Sequence, residues 1–268
     1  MRPTNCWPAT VAAGGRLIDR RCGEIAMPEA TTALFPDPKA LAAGVADWLL
    51  ARSMDRPTAP FAVALSGGST PRPLYEKLAD APLRERFPWH RTHWFLGDER
   101  FVPPDDPKSN LRMVREAMLS KVPVPADHIH PVPTVGLDPN DAARAYQRTL
   151  AAFYGTDRLD PARPLFDVTL LGLGTDGHTA SLFPGTPALE ERTAWVAAVV
   201  GAMPEPRITL TYPALDSSRH VAFLIAGADK RAIHDHFRRG DMALPAARVQ
   251  PVGTLTVFAD TAAAGDRP

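Results

Sequence analysis

Phe61-Ala62-Val63-Ala64-Leu65 runs directly into Ser66-Gly67-Gly68-Ser69-Thr70-Pro71, and leucines at 74 and 78 follow at helical spacing. Five consecutive apolar residues are too few for a helix and suit a strand buried on both faces. The glycines break the run, and Pro71 stands where a helix begins and is tolerated there. Strand, glycine-rich turn and helix together form the unit from which parallel sheets are built.

The unit recurs on both sides of this stretch. Upstream, Thr31 to Phe35 reads as a first strand. Leu41, Val45, Trp48 and Leu49 then lay one apolar stripe along a helix between Pro38 and Met54. Downstream, Thr92 to Leu96 ends at Gly97-Asp98-Glu99-Arg100, and a helix carries Leu111, Val114, Met118 and Leu119. A further helix is expected from Asn140 to Phe153, and Asp167 to Leu171 ends at Gly172-Leu173-Gly174. Later runs are Trp195 to Val200, Ile208 to Thr211, Val221 to Ala226 and Leu255 to Phe258, with a helix around Lys230 to Phe237. The pattern predicts an α/β chain with a Rossmann-like, mostly parallel sheet flanked by helices. Ligands of such sheets bind outside the carboxyl ends of the strands. Three strand endings rich in glycine, hydroxyl and charged residues should therefore meet at one site.

The 268 residues are enough for one catalytic domain with a full core. We expect that domain over 29–268, with the segment 120–165 as a partial cap. Residues 1–28 show no sustained period and are expected to form a disordered extension, with Met27 a candidate start. The charge balance, 30 basic against 30 acidic residues, predicts no nucleic-acid footprint. No apolar run approaches the roughly 18–20 residues of a membrane span. Both cysteines, Cys6 and Cys22, lie in the first 25 residues, so no disulfide framework supports the fold. The expected location is the cytoplasm.

The chemistry is concentrated in the three endings. Ser66 to Thr70 offers close backbone approach through Gly67 and Gly68, hydroxyls from Ser69 and Thr70, and the free N–H groups of a helix start; this is a phosphate cradle. No Lys-Ser/Thr follows, so it is not a nucleotide P-loop. At the second ending, Arg100 suits either a phosphate or a carbonyl oxygen, and Asp98 either a base or a sugar hydroxyl. At the third, Gly172 to Gly177 matches G-x-G-x-x-G, but Pro184 and Gly185 forbid the helix a dinucleotide site requires. What that loop offers instead is Asp176 two residues before His178, an acid–base side chain with a carboxylate to fix its tautomer. Arg207 and Lys230 are further cations within possible reach of a phosphate. His90 and His93, and His128 and His130, lack further ligands at metal-site spacing, so no metal is expected. No serine occupies a nucleophile elbow.

These motifs, in this order, carry a resemblance. Ala64 to Pro71, Trp94 to Arg100 with Val102-Pro103, Ser109-Asn110, Gly174 to Gly185 and Arg207 to Thr211 together resemble the 6-phosphogluconolactonase family of the pentose phosphate pathway, over about residues 30 to 262. The resemblance implies a fold like that of the glucosamine-6-phosphate deaminases and ribose-5-phosphate isomerases. It also implies a metal-free, cofactor-free hydrolase acting on a small sugar-phosphate lactone, expected as a monomer. Its catalytic histidine falls on His178 and its phosphate loop on Ser66 to Thr70, with Arg100, Arg207 and Lys230 on cationic positions. Asp176 or Asp98 would orient the imidazole. N–H groups of the Gly174–Gly177 turn, or Arg100, would hold the oxyanion. The alternatives are a sugar-phosphate deaminase or isomerase on the same fold, and a non-catalytic sugar-phosphate sensor. Phe183 stands where the related deaminases carry a glutamate, and phenylalanine cannot move a proton.

Overall fold

The computed structural model describes residues 30–265; the extension expected over 1–28 lies outside them. Six strands form one wholly parallel sheet: β1 (Thr31–Phe35), β2 (Phe61–Leu65), β3 (Thr92–Leu96), β5 (Phe166–Gly172), β8 (Ser218–Ile225) and β9 (Thr254–Asp260), in the spatial order β1-β9-β8-β5-β2-β3. All five residues of β2 are buried, as two covered faces require. The stripe read in the sequence is the buried face of α1 (Pro38–Met54), where Leu41, Val45 and Leu49 enter the core. Each such side chain contributes about 1.5–3 kcal/mol by leaving water. Asp37 starts this helix by accepting the Ala40 N–H at 2.8 Å, with Pro38 just inside.

Not every predicted strand joins this sheet. β4 (Asp98–Arg100), β6 (Val196–Val199) and β7 (Arg207–Leu210) form a second, antiparallel sheet in the order β4-β7-β6. The reason is local. β6 and β7 are joined by seven loop residues without a helix, which allows an antiparallel return but not a parallel crossover. Gly97 is the corner between the sheets: its N–H donates to the Leu65 carbonyl at 2.8 Å, and its carbonyl accepts the Leu210 N–H at 2.8 Å.

The remaining helices cover the sheets. They include α2 (Arg72–Ala79), α3 (Leu83–Arg86), α4 (Asn110–Ala117), α5 (Pro139–Tyr154), α6 (Tyr212–Asp216), α7 (Arg231–Arg238) and α8 (Thr261–Ala264). α5, in the segment expected as a cap, packs on β6 and β7. Its Tyr146 hydroxyl accepts the Leu96 N–H at 2.8 Å and donates to the Leu96 carbonyl at 3.0 Å, tying α5 to the end of β3.

The strand order places the site. From β2 the chain moves outward to β3, then returns across the sheet to β5 and continues to β8 and β9. The crevice between β2 and β5 is therefore the topological switch point, where α/β sheets bind ligands. The loops leaving those two strands are Ser66–Pro71 and the loop that carries His178.

Candidate active site

All three strand endings line one cavity of about 470 Å³ at this switch point, a volume within the range of small-ligand pockets. From β2 come Ser66, Gly67, Gly68, Ser69, Thr70 and Pro71; from β4, Asp98 and Arg100; from the β5 loop, Gly174 and His178; Arg207 and Lys230 complete the cationic wall. Asp176 and Gly177 are not among the lining residues. The segment 120–165 contributes no lining residue.

The phosphate-cradle geometry follows from local packing. Pro71 precedes α2 and gives it no side-chain cap, so no side chain at that position takes up the first N–H groups of the helix. Tyr75 fixes the loop from below, donating its buried hydroxyl to the Ser66 carbonyl at 2.7 Å. Gly67 is required by close approach: a Cβ there would lie 1.9 Å from the Asn110 Oδ1.

β4 sorts its charges by the period of a strand. Asp98 and Arg100 face the cavity, while Glu99 turns inward and is 2% exposed. The Glu99 carboxylate accepts the N–H groups of Arg100, Asn110 and Leu111 at 2.7–2.8 Å and the Ser109 hydroxyl at 3.1 Å. It thereby anchors the start of α4. Burial raises its pKa above the usual carboxylate value, outweighing the three backbone donors.

Arg100 and Arg207 are register partners on β4 and β7. Burial, and next the facing Arg100, push the Arg207 pKa below its ordinary value. Glu205 compensates Arg207 at 3.6 Å and also pairs with Lys108. Two like charges side by side on a cavity wall form a receptor for an anion.

The turn Gly174–His178 holds the imidazole. The His178 ring Nδ1 lies 2.6 Å from the Asp176 Oδ1, the same oxygen accepts the His178 N–H at 3.1 Å, and the His178 side chain is 32% exposed. Burial pushes the Asp176 carboxyl up, but the hydrogen bonds from His178 and its charge outweigh this and hold it below the usual range. Asp98 is engaged elsewhere, so of the two carboxylates Asp176 is the one that orients His178. Phe183 packs against the ring, with centroids 4.7 Å apart.

One expectation is corrected here. The Gly174 N–H donates to the His178 carbonyl at 2.8 Å and the Gly177 N–H to the Gly174 carbonyl at 3.0 Å. Both amides are spent in closing the turn. The G-x-G-x-x-G match likewise leads to turns and not to a helix. Among the described residues, no group of three or more histidines, cysteines, aspartates or glutamates could hold a metal ion. Also among them, no helix is long and apolar enough to cross a membrane.

Other lining residues were not assigned from the sequence: Asn110, Ser181, Met203 and Asp229. Asn110 and Ser181 sit inside two of the quoted motifs, which was the available signal. Met203 comes from the loop between β6 and β7, whose path no pattern announced.

Comparison with known proteins agrees with this fold. The family profile described as glucosamine-6-phosphate isomerases/6-phosphogluconolactonase matches residues 36–258. The chain is 41% identical over 242 residues to the 6-phosphogluconolactonase of Nostoc sp., covering 88% of this chain and 98% of that one. It is 45% identical over 203 residues to the 6-phosphogluconolactonase of Synechocystis sp., covering 74% and 81%. The crystal structure of 6-phosphogluconolactonase from Thermotoga maritima superposes with a TM-score of 0.74 at 32% identity, covering 87% of this chain and 100% of that one. The chain belongs to the glucosamine-6-phosphate isomerase/6-phosphogluconolactonase family.

Proposed function

We propose that this chain hydrolyses 6-phosphogluconolactone to 6-phosphogluconate, with His178 as the base that activates water. The observation that carries the reading is a half-exposed imidazole, fixed by a carboxylate, on the rim of the same cavity as a cationic anion cradle. The relatives named 6-phosphogluconolactonase over most of the chain support the substrate.

The substrate phosphate enters the Ser66–Thr70 cradle, with Lys230 and Arg207 as its counter-charges. His178 takes a proton from water through Nε2, because Nδ1 is committed to Asp176. The water oxygen attacks C1 of the lactone and a tetrahedral oxyanion forms. Arg100 neutralises it, since the Gly174 and Gly177 amides are occupied. His178 then returns its proton to the ring oxygen as the C1–O bond breaks, and the open acid leaves. A lactone is an activated ester, so one base and one oxyanion partner suffice. No second proton carrier is needed where Phe183 stands.

The test is a base-consumption assay on 6-phosphogluconolactone and on gluconolactone without the phosphate. Fast hydrolysis of the first and slow hydrolysis of the second supports the reading; equal rates, or ammonia release from glucosamine 6-phosphate, contradict it. The cytoplasmic location and monomeric state belong to the same proposal and are checked by fractionation and by light scattering.

A further inference from the structure

The cavity carries two carboxylates that the hydrolytic steps leave unused: Asp229, which pairs with Lys230 at 3.7 Å, and Asp98. Asp98 lines it from β4, surrounded by the cations that receive the phosphate. Its Oδ2 accepts the Ser181 hydroxyl at 2.6 Å, and its Oδ1 the Asn110 side-chain amide at 3.3 Å. The same amide donates to the Asp98 carbonyl at 2.9 Å. Ser181 is 0% and Asn110 2% exposed, so both donors are built into the protein. They come from different elements, the His178 loop and the start of α4. Ser181 is aimed by a tight turn in which Ala180 adopts a positive φ of 48°, a conformation costly for a residue with a Cβ.

Three features decide what this carboxylate is for. It does not act on His178, which Asp176 orients. Its side-chain donors are a hydroxyl and an amide, not a cation, and a carboxylate beside a phosphate site works against phosphate binding. A carboxylate offers about four acceptor positions, and Ser181 and Asn110 occupy two. Asp98 lines the same cavity as Arg100, Arg207 and Lys230, so its remaining acceptor positions are within reach of a substrate held there. A polyhydroxylated ring supplies the missing donors.

We propose that Asp98 reads the ring hydroxyls of the lactone, and that Ser181 and Asn110 are positioning residues that fix its carboxylate. The proposal rests on the sugar-phosphate lactone reading and adds to it the group that separates one lactone from another. Sites built to bond a hydroxyl discriminate strongly against its absence, because the buried acceptor is then left unpaired.

The experiment compares kcat/KM for 6-phosphogluconolactone with its 2-deoxy, 3-deoxy and 4-deoxy analogues, across pH. The wild type is expected to disfavour at least one analogue by about a hundredfold or more. Asp98→Ala should shrink that ratio to a few-fold by losing activity on the parent lactone alone. Ser181→Ala, a milder change that keeps the fold, should give an intermediate ratio with an unaltered pH profile. A wild type that accepts all analogues equally overturns the proposal. So do variants that lose parent and analogues in equal proportion, or a pH limb displaced by Asp98→Ala. A wild type that hydrolyses the parent but does not discriminate spares the lactonase reading; a wild type inert toward every lactone overturns both.

Discussion

Asp176 grips His178 twice, through one carboxylate oxygen that takes the backbone N–H at 3.1 Å and the ring Nδ1 at 2.6 Å. The first contact sets the turn and the second sets the tautomer. With Nδ1 committed to Asp176, Nε2 is the ring nitrogen to which the proposed mechanism assigns the proton transfer.

Asp176→Asn keeps the shape of this contact but can donate to Nδ1 and so invert the tautomer. We expect kcat to fall by about 10²–10⁴ with little change in KM, by analogy with other carboxylate–imidazole pairs. Steady-state kinetics check this, and a kcat within a factor of three of wild type would contradict it.

Gly174 gives the ring its room. A Cβ at this position would lie 2.1 Å from the His178 Nδ1. Gly174→Ala should therefore displace the imidazole and lower kcat by at least tenfold, while circular dichroism and the melting midpoint show a folded protein. Wild-type turnover would mean that the ring position is not critical.

Arg207 is 7% exposed and is the register partner of Arg100, and the proposed mechanism gives it the substrate phosphate. Arg207→Leu should raise KM for the phosphorylated lactone at least tenfold, or about 1.4 kcal/mol, and leave kcat/KM for the unphosphorylated lactone nearly unchanged. The melting midpoint of the free variant should hold or rise, since Glu205 retains Lys108. A parallel loss on both substrates would place Arg207 outside phosphate binding.

Away from the site, His93 on β3 stacks with His128 and His130: the His93 and His128 ring centroids are 3.9 Å apart, and His93 Nδ1 lies 3.1 Å from His130 Nε2. Burial first, then repulsion from the other two rings, pushes His93 from 6.5 down to about 4, and His130 is lowered too. The unfolded chain takes up these protons before the folded one does. Stability present above about pH 6.5 is therefore lost as pH falls toward about 4. His93→Gln should flatten the melting midpoint over this window; a curve parallel to wild type would contradict the assignment.

The parallel sheet was legible because doubly covered strands must be continuous apolar runs, as Phe61–Leu65 is. The second sheet was not. Val196–Val199 and Arg207–Leu210 read as strands, but their sheet depends on the helix-free connection and on the corner at Gly97. The cradle, His178 and the cations were legible as residue types at strand ends, and the fold brings them together. The choice between Asp176 and Asp98 was not, because sequence proximity and spatial proximity compete there. The amides of Gly174 and Gly177 were misread for a related reason: backbone donors in a turn are spent or free according to its closure, which residue types do not specify. Asn110 and Ser181 do their work through Asp98, and only coordinates reveal such a contact.

The role of His178 is tested most directly by His178→Ala, measured for turnover of 6-phosphogluconolactone and, by calorimetry, for binding of 6-phosphogluconate. The expected result is a kcat lowered by at least a hundredfold with product binding retained within a few-fold. Wild-type turnover in that variant, or equal loss of turnover and binding, would contradict the assignment of His178 as the base.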